Sequence, residues 1–583
     1  MPTVSAHVAL TLAQHIDHVF GVMGNGNAYF LDAIEKQTDA VFTAVRHEQG
    51  AVVAADAHFR ASGRIAAATS TYGAGFTNTL TALAEAVQAH VPLVLVVGDE
   101  PTSGPRPWDV DQIAMASAVG ARTYTTGHAD AAATTVIAIE HALTYRVPVV
   151  LAIPYDVAAL EAGAVAAAPT PRIPAPLAPR GEFADGMLDE IAHELRTASR
   201  PFLLAGRGAW LAGASDALGL LAERTGALTA STALGRGVFP DTRYDLGVTG
   251  GFGADGAMQL IREADVAVVF GASLNQFTMR FGELFAPGTR VFQIDVAPAA
   301  THAHIGGFVR ADARLAAEAL AERLGTPASP ADAPDARFAR KNAPDADHAA
   351  DSVRAKRTSR REAHTPWRET VDLEAARAYA AGDELAPDGR LDPRSAARRI
   401  AELLPEDRVV VSDGGHFIGW ANMYWPVAAP DRMMMVGTAF QSIGQGWPSV
   451  VGATRARPEQ TIVLTSGDGG GLMAIADLES AVRAAAGHGV AVIWNDAAYG
   501  AEVNLYGLKG LAEGPMLIPE VDFAAFAGAV GAEGVVVRTL DDLERLRTWA
   551  SEDPAARRFL VLDLRISGGV IAPYQEEIIR VNS

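Results

Sequence analysis

Thr465-Ser466-Gly467-Asp468-Gly469-Gly470-Gly471 and, further on, Trp494-Asn495-Asp496-Ala497-Ala498-Tyr499-Gly500 each close a short apolar run, Thr461–Thr465 and Val490–Trp494. The step of 27 residues from Asp468 to Asn495 fits one strand-to-strand crossover containing a helix. In a parallel sheet both loops would then lie at the carboxyl edge, where open α/β folds bind ligands. Two hard oxygen donors, a carboxylate and an amide carbonyl, meet there on adjacent strand ends. With a main-chain carbonyl and phosphate oxygens they suit Mg²⁺ or Ca²⁺ far better than Zn²⁺. The glycines let main-chain N–H groups approach a phosphate without Cβ interference, and a helix expected from near Met473 offers its positive end. Gly-Asp-Gly alone also reads as an ordinary turn; the spacing and the apolar strands favour the site.

The same alternation of apolar runs and helical patterns extends over most of the chain. Residues 1–168 read as one α/β unit, with a helix at Ala6–His18, a strand at Val19–Val22 and a helix at Gln49–Ser62. Further strands are expected at Ile65–Thr69, Val91–Val97 and Val147–Ile153. Pro169–Arg180 has too many prolines for a helix or a sheet interior and reads as a linker. A second unit is expected over 185–330, with strands at Pro201–Ala205, Val266–Phe270 and Val291–Val296. Residues 331–384 read as a linker, because their poorest stretch, to about 365, has few large apolar side chains. A third unit runs from 385 to 583, with strands at Arg408–Ser412, Thr461–Thr465, Val490–Trp494 and Phe559–Leu562. The expected class is α/β, three Rossmann-like open parallel-sheet domains. The first and third could share a fold, although no internal sequence repeat is evident.

At 583 residues, 49% of them hydrophobic, the chain can bury several cores. Lys and Arg total 48 against 68 Asp and Glu, and a net charge of −20 repels nucleic acid and anionic membrane in bulk. Zero cysteines exclude disulfides, thiolate metal sites and a cysteine nucleophile. No apolar run approaches the roughly 20 residues of a membrane helix, and the first residues lack a signal-peptide pattern. No nucleic acid, no membrane and a cytoplasmic location are the resulting expectations.

The Gly-Asp-Gly followed after almost thirty residues by Asn resembles the thiamine-diphosphate-dependent enzymes, especially their acetolactate synthase and 2-keto acid decarboxylase branch. The resemblance covers nearly the whole chain. It implies pyrimidine-binding, central and pyrophosphate-binding domains in that order, with thiamine diphosphate and Mg²⁺ as cofactors. Asp468, Asn495 and the main-chain carbonyl of Ala497 would complete the protein side of the metal shell. Gly467, Gly469, Gly470, Tyr499 and Gly500 would line the diphosphate cradle. Trp494 stands where the family more often has a first Asn.

Val45-Arg46-His47-Glu48-Gln49-Gly50 and the following helix resemble the family pattern carrying the cofactor-activating glutamate, with Ala57 and Phe59 as departures. Glu48 would hydrogen-bond N1′ of the aminopyrimidine. A buried carboxyl suits that role, whereas an unmatched Glu at a helix start would be a capping charge. Thr71, Gly73 and Asn78 fall in or beside the loop Tyr72-Gly73-Ala74-Gly75-Phe76-Thr77-Asn78, similar to the family's Ser-Gly-Pro-Gly-x-x-Asn. Gln441 would accept from the 4′-amino group through its carbonyl, and Ile443 would prop the bent cofactor. Gly415 and His416 lie in the loop resembling the one that reaches the diphosphate, with His416 replacing a common Gln.

The substrate side departs further from familiar members. Gly24 and Asn25 occupy the first Gly-rich loop, with Asn25 where keto acid decarboxylases use Asp. Trp108 stands where acetolactate synthases carry Gln. Asn25, Trp108, His416 and Glu502 are the residues expected to decide the outcome, Glu502 being either a proton donor or a solvated helix-start residue. Gly271-Ala272-Ser273-Leu274-Asn275-Gln276 replaces the run of flavin-containing acetolactate synthases, so FAD is compatible with the central domain but not implied.

The expected function is an acetolactate-synthase-like enzyme that forms an enamine from a 2-keto acid and ligates it to an aldehyde or keto acceptor. The alternatives are nonoxidative 2-keto acid decarboxylation and a noncatalytic cofactor-binding homologue. The resemblance implies a homodimer as the minimal active unit, with a homotetramer as the expected assembly. Glu48 of one subunit would then face Asp468 of another.

Overall fold

Strands made almost wholly of Val, Leu, Ile and Ala are buried on both faces, and parallel sheets covered by helices are what such runs form. Every residue of strands Leu93–Asp99, Pro148–Pro154, Ile462–Gly467, Gly489–Asn495 and Leu560–Arg565 is buried. The computed structural model describes residues 1–165, 167, 169–325 and 365–582. Three six-stranded sheets are present among the described residues, and every pairing within them is parallel.

One compact unit comprises Met1–Ala175 and Tyr379–Ser583. Its N-terminal sheet, with strands counted in chain order, runs 2-1-3-4-6-5, and its C-terminal sheet repeats the order 2-1-3-4-6-5. The first and third α/β segments thus share a topology without an evident sequence repeat. Helix Glu48–Ser62 packs across helix Gly446–Ala456, and Val52, Val53, Trp447 and Val450 enter one common core. The approach is so close that a Cβ on Gly452 would collide with the carbonyl of Ala54.

The other unit comprises Pro176–Ala378. Its sheet has the order 3-2-1-4-5-6, the arrangement of doubly wound dinucleotide folds. The first turn spends its donors internally: Gly206 N–H donates to Phe270 O and Gly208 N–H to Gly271 O, each at 2.9 Å.

Several boundaries differ from expectation. The first helix is Val4–Leu12, capped by Thr3, and His18 already belongs to strand His18–Gly21. The helix expected from near Met473 is instead Asp468–Met473, starting on the aspartate itself. Pro169–Arg180 contains no helix or strand. Of the expected 331–384 linker, 331–364 lie outside the described residues, as do 326–330 of the expected central unit. Within 365–384 are a 3-10 turn at Trp367–Glu369 and a short helix at Leu373–Ala376. No helix of the described residues is long and apolar enough to cross a membrane.

Candidate active site

Strands Ile462–Gly467 and Gly489–Asn495 pair with Gly467 opposite Trp494, so Asp468 and Asn495 occupy neighbouring positions at the carboxyl edge. Asn495 is fully buried. Its Nδ2 donates to Asp563 Oδ1 at 2.9 Å and to Val521 O at 3.0 Å, which fixes the amide and leaves Oδ1 without a hydrogen-bond partner. Asp468 is 2% exposed, and its Oδ1 accepts from Gly469 N–H at 3.0 Å. Burial, then repulsion from Asp496, pushes its carboxyl up to about 7. A buried carboxylate of this kind, beside an unsatisfied amide oxygen, calls for a cation.

The glycines are required by packing as well as by ligand approach. A Cβ on Gly470 would lie 2.7 Å from Asp413 Oδ2, and one on Gly469 would lie 2.6 Å from the Tyr499 ring. Asp413 is a buried hub: Gly414, Gly444 and Gln445 N–H groups donate to Oδ1 at 2.8–3.1 Å, and Ser466 Oγ to Oδ2 at 3.0 Å. Burial raises its carboxyl, against the pull of those donors. Ala497 has φ +60°, and its carbonyl accepts from Ile518 N–H at 2.8 Å, using one of its two lone pairs.

His416 packs directly on Gly500. Its Nε2 lies 3.1 Å from Asp496 Oδ2, although neither Asp496 oxygen has a well-aligned hydrogen bond. Burial would lower the imidazole; Asp496, with Asp468 and Glu502 behind it, overrides burial and raises it. Tyr574 of the last helix donates to His416 O at 2.5 Å and braces this loop, which begins at Gly415. Glu502 ends the short helix Gly500–Glu502 and is exposed. Gln441 adopts φ +58°, and Ile443 packs over Gly414.

Glu48 opens helix Glu48–Ser62 and accepts from Asn78 Nδ2 through Oε2 at 2.9 Å. It is partly buried in the single chain, less than the sequence reading expects. His47 caps the helix, its Nδ1 accepting from Gln49 N–H at 3.2 Å. Thr71 Oγ1 accepts from Gly26 N–H at 2.8 Å, Asn27 Oδ1 accepts from Gly24 N–H at 2.8 Å, and Asn25 Nδ2 donates to Tyr72 OH at 2.8 Å. The Gly-rich loop and the Thr71–Asn78 loop are stapled together in this way. Trp108 is 59% exposed, and its carbonyl faces Gly73, whose φ is +59°.

Asp413, Asp496, Asp563 and Tyr574 are further residues of the site, to which no motif assigns a role. Asp413 and Asp496 stand inside the loops singled out by motif, and Asp563 is marked by being a carboxylate inside the apolar run Leu560-Val561-Leu562-Asp563-Leu564. Among the described residues no three His, Cys, Asp or Glu side chains form a ready metal cluster. A cation here would depend on Asp468, amide and main-chain oxygens, and a phosphate, which is the donor chemistry of Mg²⁺ with a diphosphate.

Residues 2–117, 188–320 and 413–563 match the N-terminal TPP binding, central and C-terminal TPP binding domains of the thiamine pyrophosphate enzymes. These matches cover more than half of the chain, and the chain belongs to the thiamine pyrophosphate enzyme family. It is a thiamine-diphosphate-dependent enzyme with Mg²⁺ as the accompanying ion. A sulfoacetaldehyde acetyltransferase of Alcaligenes xylosoxydans xylosoxydans is 28% identical over 93% of this chain and 89% of its own. An acetolactate synthase of Arthrospira platensis is 25% identical over 83% of this chain and 80% of its own. The thiamine diphosphate-dependent 4-hydroxybenzoylformate decarboxylase of Rhodococcus jostii RHA1 shares the fold, with a TM-score of 0.73 at 21% identity, covering 97% of this chain and 99% of that one.

Proposed function

We propose that the chain is a carboligase that takes a 2-keto acid donor and joins its acyl unit to a carbonyl acceptor. Bound thiamine diphosphate supplies a nucleophilic carbon and an electron sink for loss of CO₂ from the donor. The observation that carries the assignment of the site is the unpartnered Oδ1 of Asn495 beside buried Asp468. These two, with the main-chain carbonyl of Ala497, would hold Mg²⁺, and Gly467, Gly469, Gly470, Gly415, Tyr499 and Gly500 would surround the diphosphate. Gln441 O would accept from the 4′-amino group and Ile443 would support the ring. Glu48, oriented by Asn78, would hydrogen-bond N1′ and govern the proton there, and Thr71 and Gly73 shape the loop beside it. Glu502 and His416 lie at the substrate side.

The wall formed by Asn25, Tyr72 and Trp108 carries neither carboxyl nor imidazole, which favours ligation over aldehyde release. His416 and Glu502, on the other half-site, are the acids that would support release. The active unit is a homodimer, Glu48 of one copy meeting the Asp468 site of the other. Exposed apolar side chains near both half-sites support this: Met23, Tyr29 and Trp108 on one, Phe440, Met473 and Leu517 on the other. A cytoplasmic location completes the reading.

Mass-spectrometric screening of 2-keto acids, with and without aldehyde acceptors including sulfoacetaldehyde, tests it. The expected products are 2-hydroxyketones. Free aldehyde as the main product would replace ligation by decarboxylation, and acetyl transfer involving sulfoacetaldehyde would move the chain towards its sulfoacetaldehyde acetyltransferase relatives.

A further inference from the structure

Arg106 lies at the meeting point of three segments. Its Nε donates to Asp109 Oδ2 and its Nη2 to Asp109 Oδ1, both at 2.8 Å, and its own main-chain N–H donates to Asp109 Oδ2 at 2.7 Å. The guanidinium lies 4.1 Å from the Tyr72 ring centroid, 4.6 Å from that of Tyr155 and 5.6 Å from that of Trp108. Side chains of Arg106 and Asp109 are only 17% and 2% exposed, so this is more than a rim ion pair. Cation–aromatic contact and a planar two-bond fork together fix a guanidinium in orientation as well as in place.

The loop around it is tied at both ends. Thr102 N–H and Oγ1 donate to Asp156 at 2.9 and 2.5 Å. Asp111 caps helix Gln112–Ala118, and Gln112 Oε1 accepts from Gly73 N–H at 3.0 Å. Between these ties, Trp108 O rests where a Cβ on Gly73 would come within 2.8 Å. Tyr72, stacked on Arg106, accepts from Asn25 through its hydroxyl. One guanidinium therefore joins the Asn25, Tyr72 and Trp108 loops.

We infer that Arg106 is a positioning residue for acceptor selection: it holds Trp108 and Tyr72 in register, and so sets the size of the carbonyl acceptor taken beside Asn25. This rests on the reading that Asn25 and Trp108 face the substrate. The ordinary alternative is a loop clamp with no bearing on substrate choice. Lysine keeps the charge but loses the fork and the planar stack, so it separates geometry from charge.

The test compares wild type, R106K, W108A and the double variant, with pyruvate as donor and acetaldehyde or benzaldehyde as acceptor. R106K should raise the acceptor KM roughly tenfold, change the ratio of the two products, and leave thiamine diphosphate affinity within about twofold. The double variant should resemble W108A alone, since Arg106 acts through that side chain. Amide hydrogen exchange over 102–111 should rise in R106K. If R106K does not fold, D109N loosens the same fork from its other side and carries the same expectation. An unchanged acceptor KM and product ratio in R106K, with W108A altering them, would overturn the inference and leave the substrate wall standing. Equal losses of cofactor affinity and acceptor affinity would reduce Arg106 to a structural clamp. If W108A too alters neither measure, or wild type forms no ligation product, the reading beneath the inference falls with it.

Discussion

A buried amide oxygen without a donor is costly unless an ion meets it, and Asn495 Oδ1 is such an atom. Its direction is set by Asp563, which takes the Nδ2 hydrogen at 2.9 Å and is itself held by Phe523 N–H and by Arg565, at 2.9 and 2.8 Å. D563N should let the amide turn, weakening Mg²⁺-dependent binding of thiamine diphosphate about 10- to 100-fold, as loss of an orienting partner does elsewhere. Calorimetric titration at several Mg²⁺ concentrations measures this; unchanged metal dependence would mean the amide is set by something else. Glu48 plays a different part. E48Q keeps a hydrogen-bonding side chain but not the carboxylate, so C2–H exchange of bound cofactor should slow by about 100-fold or more while diphosphate binding persists. Normal exchange by NMR would remove Glu48 from the role.

Helix Glu48–Ser62 does more than present Glu48. Asp56 and Arg60 form a buried fork within it, Arg60 reaches Glu85 and Met435 O, and Glu85 accepts from Phe440 N–H at 2.7 Å. The segment leading into Gln441 and Ile443 is thus anchored to the helix that carries Glu48. The same helix buries His58 against His18 and Phe20, with Arg455 acting on His18 from helix Gly446–Ala456. Burial, and then His18, lower the His58 imidazole to about 4. Its folded value lies below its unfolded one. The stability tied to neutral His58 is therefore complete above about pH 6.5 and lost as pH falls towards about 4, on the order of 3 kcal/mol. H58Q should flatten that acid limb in denaturant unfolding between pH 4 and 7; an unchanged slope would place the titration elsewhere. At this scale the sequence was legible where strands are buried on both faces: Val91–Val97 anticipates Leu93–Asp99, and Val490–Trp494 anticipates Gly489–Asn495. Strands such as Arg122–Thr125, with exposed ends, and Met433–Met435, only three residues long, carried no comparable run. Helix Asp468–Met473 was hidden by its three glycines, whose low helix propensity is overridden by packing on Tyr499, Asp413 and Phe523. In the site, motifs pointed to Glu48, Asp468 and Asn495. Asp413 and Asp496 act through contacts between distant loops, for which one sequence holds no spacing signal.

Two sheets with the same strand order, joined through helices Glu48–Ser62 and Gly446–Ala456, give each chain one pyrimidine-type and one pyrophosphate-type half-site. In the single chain, Glu48 is engaged by Asn78, whereas Asp468 lies with His416 and Asp496 in the other half. As proposed, Glu48 of one copy would meet Asp468 of the other. Subunit complementation tests this most directly: E48Q and D468A, each inactive alone, are co-refolded and assayed for 2-keto acid turnover. Their mixed dimer holds one site with both mutations and one with neither, so activity should return to as much as about half that of wild type per mixed dimer, in proportion to the mixed species formed. Mixed dimers that assemble, as judged by two affinity tags, yet remain inactive would contradict a site shared between subunits.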